Sequence, residues 1–370
     1  MIDQNIVVNS PTKVVFGFNS TEQILEKLNK SDKRIALIAD SVFRKNKKIN
    51  SILGISEPFC PSQGEPVLKG VVELSREVNK FNPEIIMALG GGSVIDTAKL
   101  VRAIIEEKMS VSNIMKNDFK ESEIKLVAIP TTAGTGSEVT KFAVASVDAI
   151  KTTFIGEELV PTEAYIDPSF LTTLPQKIIA LTGIDALSHN IESLLSKVAN
   201  PLSNSISKKG IRFSLESIMK VFSCKYSDED LYKLSCSATF GGFAINIASV
   251  CEGHIFGHVI GSRLHIPHGA SVGIFLPATV DMYLERFPVL RDRLLSCFDD
   301  VSEWSNIGRR IHKLLCDLNI YDSLQDIDIL YKELENERWF YGADFICRIE
   351  PTKENWKELI GRTSEYLKQR

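Results

Sequence analysis

The chain is expected to be a two-domain α/β protein. An N-terminal nucleotide-binding α/β domain with a mostly parallel, Rossmann-like sheet spans 1–179, and an all-α C-terminal metal-binding domain spans 180–370. Three observations carry this expectation. Short unbroken apolar runs alternate with helical periodicity up to about residue 179, which implies a parallel sheet covered on both faces. From residue 180 onward helical periodicity dominates. Four of the six histidines crowd into residues 251–269, inside that helical part. A length of 370 residues is ample for two cores.

In order, Val14-Val-Phe16 is a short strand ending on Gly17. Ser20 and Gln23 stand at capping-box spacing and open a helix. Ile35-Ala-Leu-Ile-Ala39 has the composition of a buried strand and ends on Asp40. Pro66 opens a helical pattern through Val67, Leu68, Val71, Leu74 and Val78. Residues 85–89 form the next strand and run into Gly90-Gly-Gly-Ser93. A helix with Val94, Ile95, Ala98, Val101 and Ile105 on one side follows. Residues 126–129 form a strand that stops at Pro130. Beyond 180, helices are expected over 202–221, 228–249, 277–287, 304–318 and 351–367.

Composition narrows the class. A net charge of −4 offers no general attraction to nucleic acid or to an anionic membrane, so neither partner is expected. The seven cysteines are scattered and contain no CxxC pair, a usage that suits a reducing cytoplasm. Met-Ile-Asp-Gln-Asn does not read as a signal peptide, and no run approaches the roughly 18 apolar residues of a membrane span.

Two loops have the chemistry of a phosphate and nucleotide edge. In Gly90-Gly-Gly-Ser93, glycine lets the backbone approach a charged ligand, and the amides and dipole of the next helix favour a pyrophosphate. The GxGxxG fingerprint is absent. Residues 130–140, Pro-Thr-Thr-Ala-Gly-Thr-Gly-Ser-Glu-Val-Thr, form a second hydroxyl- and glycine-rich loop after a strand. Asp40, at a strand end, is placed where an acid can bond a ribose 2′-hydroxyl and repel a 2′-phosphate.

Asp185 and His189 are four residues apart, as are His254 and His258, so each pair would share one face of a helix. His268 stands between Pro267 and Gly269, where a helix does not continue. An Asp with three imidazoles is a complete ligand set for a borderline dication such as zinc or ferrous iron. Spacing leaves open which of His254, His258, His265 and His268 would bind.

Taken together, GGGSVIDTAK at 90–99, PTTAGTGSEVT at 130–140, GIDALSHNIES at 183–193 and the histidine segment at 254–269 resemble the iron-containing (group III) alcohol dehydrogenases. The resemblance spans both halves of the chain and implies a dehydroquinate-synthase-like fold with the active site between the domains. It puts the metal ligands on Asp185, His189, His254 and His268, and a further histidine that can relay a proton on His258. It puts dinucleotide contacts on Asp40, Gly91, Gly92, Ser93, Thr131, Thr132, Thr135 and Lys151. The implied activity is NAD(H)-linked, Fe²⁺- or Zn²⁺-dependent interconversion of a small primary alcohol and its aldehyde, with NADP(H) the second choice of cofactor. Hydride passes between nicotinamide and substrate carbon while the cation acts as Lewis acid. A homodimer or higher homo-oligomer is expected from the same resemblance.

Three positions depart from the family pattern: Glu65 replaces the usual Asn before Pro66, Val259-Ile260 follow His258, and Ser193-Leu-Leu lacks an aromatic. They bear on the substrate pocket and leave the ligand set intact. The Ala244-Ile-Asn-Ile-Ala248 stretch is similar to members that reduce phosphonoacetaldehyde. Two other readings stand beside this one: a dehydroquinate-synthase-like lyase that recycles NAD within a turnover, and a catalytically inactive binding homologue.

Overall fold

The computed structural model describes residues 9–46, 57–107, 111–148, 150–298, 306–324, 347–350 and 352–369, with isolated positions 49 and 54. Trp304 and Pro351, expected at helix starts, lie outside them. The chain divides into two compact units. One holds the described residues up to Thr132 together with Gly136–Leu174, and the other holds Ala133–Thr135 and the described residues from Pro175 onward.

The first unit is built on a five-stranded sheet. Its strands are β1 (Lys13–Phe16), β2 (Ile35–Ala39), β3 (Ile85–Gly90), β4 (Lys125–Pro130) and β7 (Glu163–Ile166), all parallel in the order β1-β7-β4-β3-β2. Helices α1 (Ser20–Asn29), α2 (Leu68–Lys80) and α3 (Gly92–Glu107) accompany it. Side chains alternate along β3. Ile86 and Ala88 join Leu74, Val78, Val94 and Val101 on one face, while Ile85, Met87 and Leu89 join Ile24, Leu25 and Leu28 on the other. Apolar matter on both faces is why these strands read as unbroken apolar runs.

β5 (Phe142–Val147) and β6 (Ile150–Ile155) form a separate antiparallel pair that the sequence reading did not anticipate, and β7 was not anticipated either. A buried polar pair ties this pair of strands to α3. Lys99 is fully buried and donates to Thr140 O at 2.9 Å and Phe142 O at 2.6 Å. Asp96 accepts from Ser137 Oγ at 2.5 Å and Val144 N at 2.9 Å. Burying a charge is costly without such partners, so both residues of the GGGSVIDTAK stretch act as struts behind the glycine turn.

The second unit contains α4 (Gln176–Leu195), α5 (Pro201–Phe222), α6 (Asp228–Ala248), α7 (Glu252–Leu264), α8 (His268–Arg286), α9 (Val289–Leu295), α10 (Ile307–Asp317) and α11 (Lys353–Leu367). α4, α5 and α6 pack on one another, and α8 packs on α4, α7, α10 and α11. The expected helix start at Pro277 is corrected. The helix begins at His268 and carries Pro277 inside it, because burial on several neighbours outweighs one missing backbone donor. No single described helix is long and apolar enough to cross a membrane.

The start of α6 makes a stability prediction. Ser227 and Asp230 form a capping box, and Lys220 Nζ sits 2.7 Å from Asp230 Oδ1. The Lys220 hydrogen bond, then the Ser227 backbone N–H, hold the Asp230 carboxyl at about 2, below its ordinary 3.8. A depressed folded value means the stabilisation is complete above pH ~4 and is lost as pH falls toward ~2. Asp230→Ala is therefore expected to cost about 1 kcal/mol in urea unfolding at pH 7. The gap to wild type should close between pH 4 and 2; a gap independent of pH would contradict this account.

Candidate metal centre

α4 brings two of the expected ligands to one face. Asp185 and His189 are one turn apart, and from Ile179 almost every α4 residue is buried, so both side chains lie in the interior at 2% and 3% exposure. α6 ends at Ser249 with φ 58°, a strained left-handed value for serine, and the chain turns 109° into α7. α7 then presents His254 two residues from its start, at 3% exposure. It stops at His265, whose φ of 53° is the left-handed helix-ending conformation, and three residues later α8 opens on His268.

The α4–α8 contact fixes where His268 falls. A Cβ on Gly269 would stand 1.9 Å from Leu181 O, so only glycine lets the first turn of α8 rest on the α4 backbone one turn before Asp185. His268 Nε2 comes 3.2 Å from Asp185 Oδ1, and His189 Nε2 lies 3.7 Å from the same oxygen. The rings of His189 and His254 stack with centroids 4.8 Å apart, and those of His254 and His268 meet edge-on at 5.2 Å.

One ligand atom from each of Asp185, His189, His254 and His268 lies within 4.8 Å of all the others. Four donors around a dication at ~2.1 Å would stand roughly 3.4 Å apart, so a small contraction completes the shell. The chemistry of the group suits a cation. Burial works against the Asp185 carboxylate, yet His189, His268 and His254 outweigh it and hold it below the usual carboxylate range. Burial also pushes the His189 imidazole down, toward the unprotonated form that binds a cation. Asp185 Oδ1 is a buried oxygen with imidazole nitrogens beside it but no well-formed hydrogen bond, a need a cation would satisfy.

His258 lies just outside the four. Its ring is 5.0 Å from that of His254 and 4.7 Å from that of His268, and it is half-buried. His265 is exposed and ends α7. His312 is remote from the group and bonds the hydroxyl of Tyr321 at 2.8 Å.

Glu192 belongs to the centre and was not singled out by sequence. It is fully buried on α4, three residues after His189; burial pushes its carboxyl up, while the N–H donors of Cys251 and His254 favour the charged form. The available signal was an acid on an otherwise buried helix, next to the ligand pair, that needed a partner.

In the sheet unit, Asp40, Gly91 to Ser93, Thr131 and Thr132 of the expected dinucleotide residues lie at the carboxyl ends of three neighbouring strands, whereas Lys151 and Thr135 do not. β3 and β4 leave the sheet at the same level, Gly90 opposite Pro130, and Thr131 N donates to Gly90 O at 3.0 Å. Gly91 sits in the turn, and a Cβ there would come 3.3 Å from Thr132 Oγ1; Gly92 and Ser93 open α3. That bare, hydroxyl-lined backbone fits a pyrophosphate cradle. Asp40 follows β2 and accepts from Val42 N at 3.1 Å, capping its own turn. Lys151 lies on β6 with Nζ 3.4 Å from Glu65 Oε2, and Glu65 also accepts from Ser146 Oγ at 3.0 Å. Thr135 falls within the short segment that groups with the helical unit.

A parallel α/β unit with a glycine turn suited to a phosphate and a helical unit with an Asp-His₃ group suited to a dication are the parts of a metal-dependent, nucleotide-using enzyme. Residues 11–168 match the family model for iron-containing alcohol dehydrogenase, and residues 179–337 match that of the C-terminal part of the same family. The chain belongs to the iron-containing alcohol dehydrogenase family and is an oxidoreductase of the alcohol dehydrogenase type. An NADPH-dependent butanol dehydrogenase of Clostridium saccharobutylicum is 30% identical over 73% of this chain and 72% of its own length. Aldehyde-alcohol dehydrogenase 2 of Entamoeba histolytica is 29% identical over 73% of this chain, which spans 33% of that protein. The iron-containing alcohol dehydrogenase of Thermococcus thioreducens superposes with a TM-score of 0.85 over 97% of this chain and 100% of its own, at 22% identity.

Proposed function

We propose that this dehydrogenase interconverts a small primary alcohol and its aldehyde with NAD(H), using Fe²⁺ or Zn²⁺ held by Asp185, His189, His254 and His268. The observation that carries the reading is the convergence of those four side chains, three of them buried and His268 half-buried. When bound, a dinucleotide supplies the hydride, and a dication supplies Lewis acidity toward the substrate oxygen.

The chain's own residues bind, orient and move a proton. The amides of Gly91 to Ser93 and the start of α3 take the pyrophosphate, with the hydroxyls of Thr131, Thr132 and Thr135 and the Lys151 ammonium as further contacts. A ring nitrogen of His258 carries the alcohol proton away from the ligand group or returns it. A phosphonoacetaldehyde-type substrate remains within this proposal. The test is an NADH-oxidation screen over small aldehydes, phosphonoacetaldehyde included, with iron and zinc supplied separately and bound metal measured. Turnover with no aldehyde would sink the reading.

Asp40 supports NAD(H) over NADP(H). A carboxylate ~4 Å from a phosphate costs on the order of 1 kcal/mol per unit charge even in water. Asp40→Gly is therefore expected to raise the NADPH-to-NADH ratio of kcat/KM by about tenfold. Wild-type efficiency equal for the two cofactors would remove this assignment. The NADPH dependence of the Clostridium relative makes the measurement a real discriminator.

A further inference from the structure

Glu192 touches the start of α7 in two ways. Its Oε2 accepts from the backbone N–H of Cys251 at 2.9 Å and of His254 at 3.1 Å. Its Oε1 lies 3.3 Å from His254 Nδ1. Cys251 is the residue preceding α7 and makes no side-chain cap, so a carboxylate from α4 does that work instead. Two backbone donors pin Oε2. The carboxylate plane is then set, and Oε1 stands 3.3 Å from one nitrogen of the imidazole.

A histidine that donates one ring N–H to a carboxylate offers the other nitrogen as a lone pair. The nitrogens of His189 and His268 nearest Asp185 Oδ1 are both Nε2, so an Nδ1–H tautomer of His254 presents the matching atom.

We propose that Glu192 is a positioning residue that holds His254 in the Nδ1–H tautomer and aims Nε2 at the ligand group, while the same carboxylate seats the first turn of α7. The proposal rests on the metal reading above.

Glu192→Gln separates the two tasks. If the amide oxygen serves the two backbone N–H groups, the NH₂ meets Nδ1 and forces the proton to Nε2. If the amide is flipped, its NH₂ faces two donors. Neither orientation satisfies both sides.

The experiment uses the full chain stripped of metal, titrated with Zn²⁺ against a competing chelator and with Co²⁺ by visible absorption. Glu192→Gln is expected to weaken metal binding about 10- to 100-fold and to alter the Co²⁺ spectrum. Asp230→Ala, a destabilising change outside the ligand group, should move neither readout. Glu192→Asp keeps an acceptor-only carboxylate at shorter reach and decides the matter if the Gln variant does not fold: weaker binding than wild type supports the proposal. Wild-type affinity and spectrum in Glu192→Gln, or in Glu192→Asp where the former does not fold, overturns it and leaves the metal reading standing. A wild-type chain that takes up no metal overturns both.

Discussion

His268→Ala is expected to lose bound metal and to lower kcat/KM by about 1,000-fold or more. The Lewis-acid contribution is worth several kcal/mol, and each ~1.4 kcal/mol is tenfold in rate. The substitution should leave the fold intact. His268 is the first residue of α8, and its side chain is 27% exposed. What it removes is the nitrogen 3.2 Å from Asp185 Oδ1, so three donors remain and the carboxylate keeps fewer imidazole neighbours. Metal analysis and steady-state kinetics check this together. Stoichiometric metal in a variant without turnover would mean that the ligand set is wrong.

Gly269→Ala should do comparable damage by another route. The added methyl has no room: Leu181 O and Leu181 C would lie 1.9 and 2.6 Å away, and both are backbone atoms of a buried helix. α8 has to lift from α4. Overpacking of this kind costs typically 1–3 kcal/mol, and here the shift also draws His268 away from Asp185. Lower stability in urea, together with metal loss, is the expected pair of results. Unchanged metal content and an unchanged unfolding midpoint would show that the two backbones are not pressed together as described.

Legibility followed the reach of the contacts. β2 and β3 could be read because strands buried on both faces are apolar at every position. Asp185 and His189 could be read because helical spacing predicts their shared face. β5 and β6 could not: FAVASV and IKTTFI are half-buried, and the first is pinned by Lys99 and Asp96, some forty residues earlier. β7 is four residues long and pairs with β1, a partner about 150 positions away. Pro277 misled because a local rule about proline was outweighed by burial against neighbouring helices. The departure at Glu65 was visible in sequence, whereas its pairing with Lys151 required the fold. Glu192 lies within the GIDALSHNIES motif, but its partners lie some sixty residues on.

One helix, α4, carries Asp185, His189 and Glu192, while the remaining two imidazoles arrive on α7 and α8. Half of the set is thus preassembled as soon as α4 forms, and the other half exists only after the later hairpin of helices has docked. Capture of the ion is consequently a reward for finished assembly. A metal at 1,000 times its dissociation constant adds about 4 kcal/mol to the assembled form alone. With the proposed ligand set, ion supply would act as a quality check on the helical half, and metal-free chains would lie nearer to unfolding.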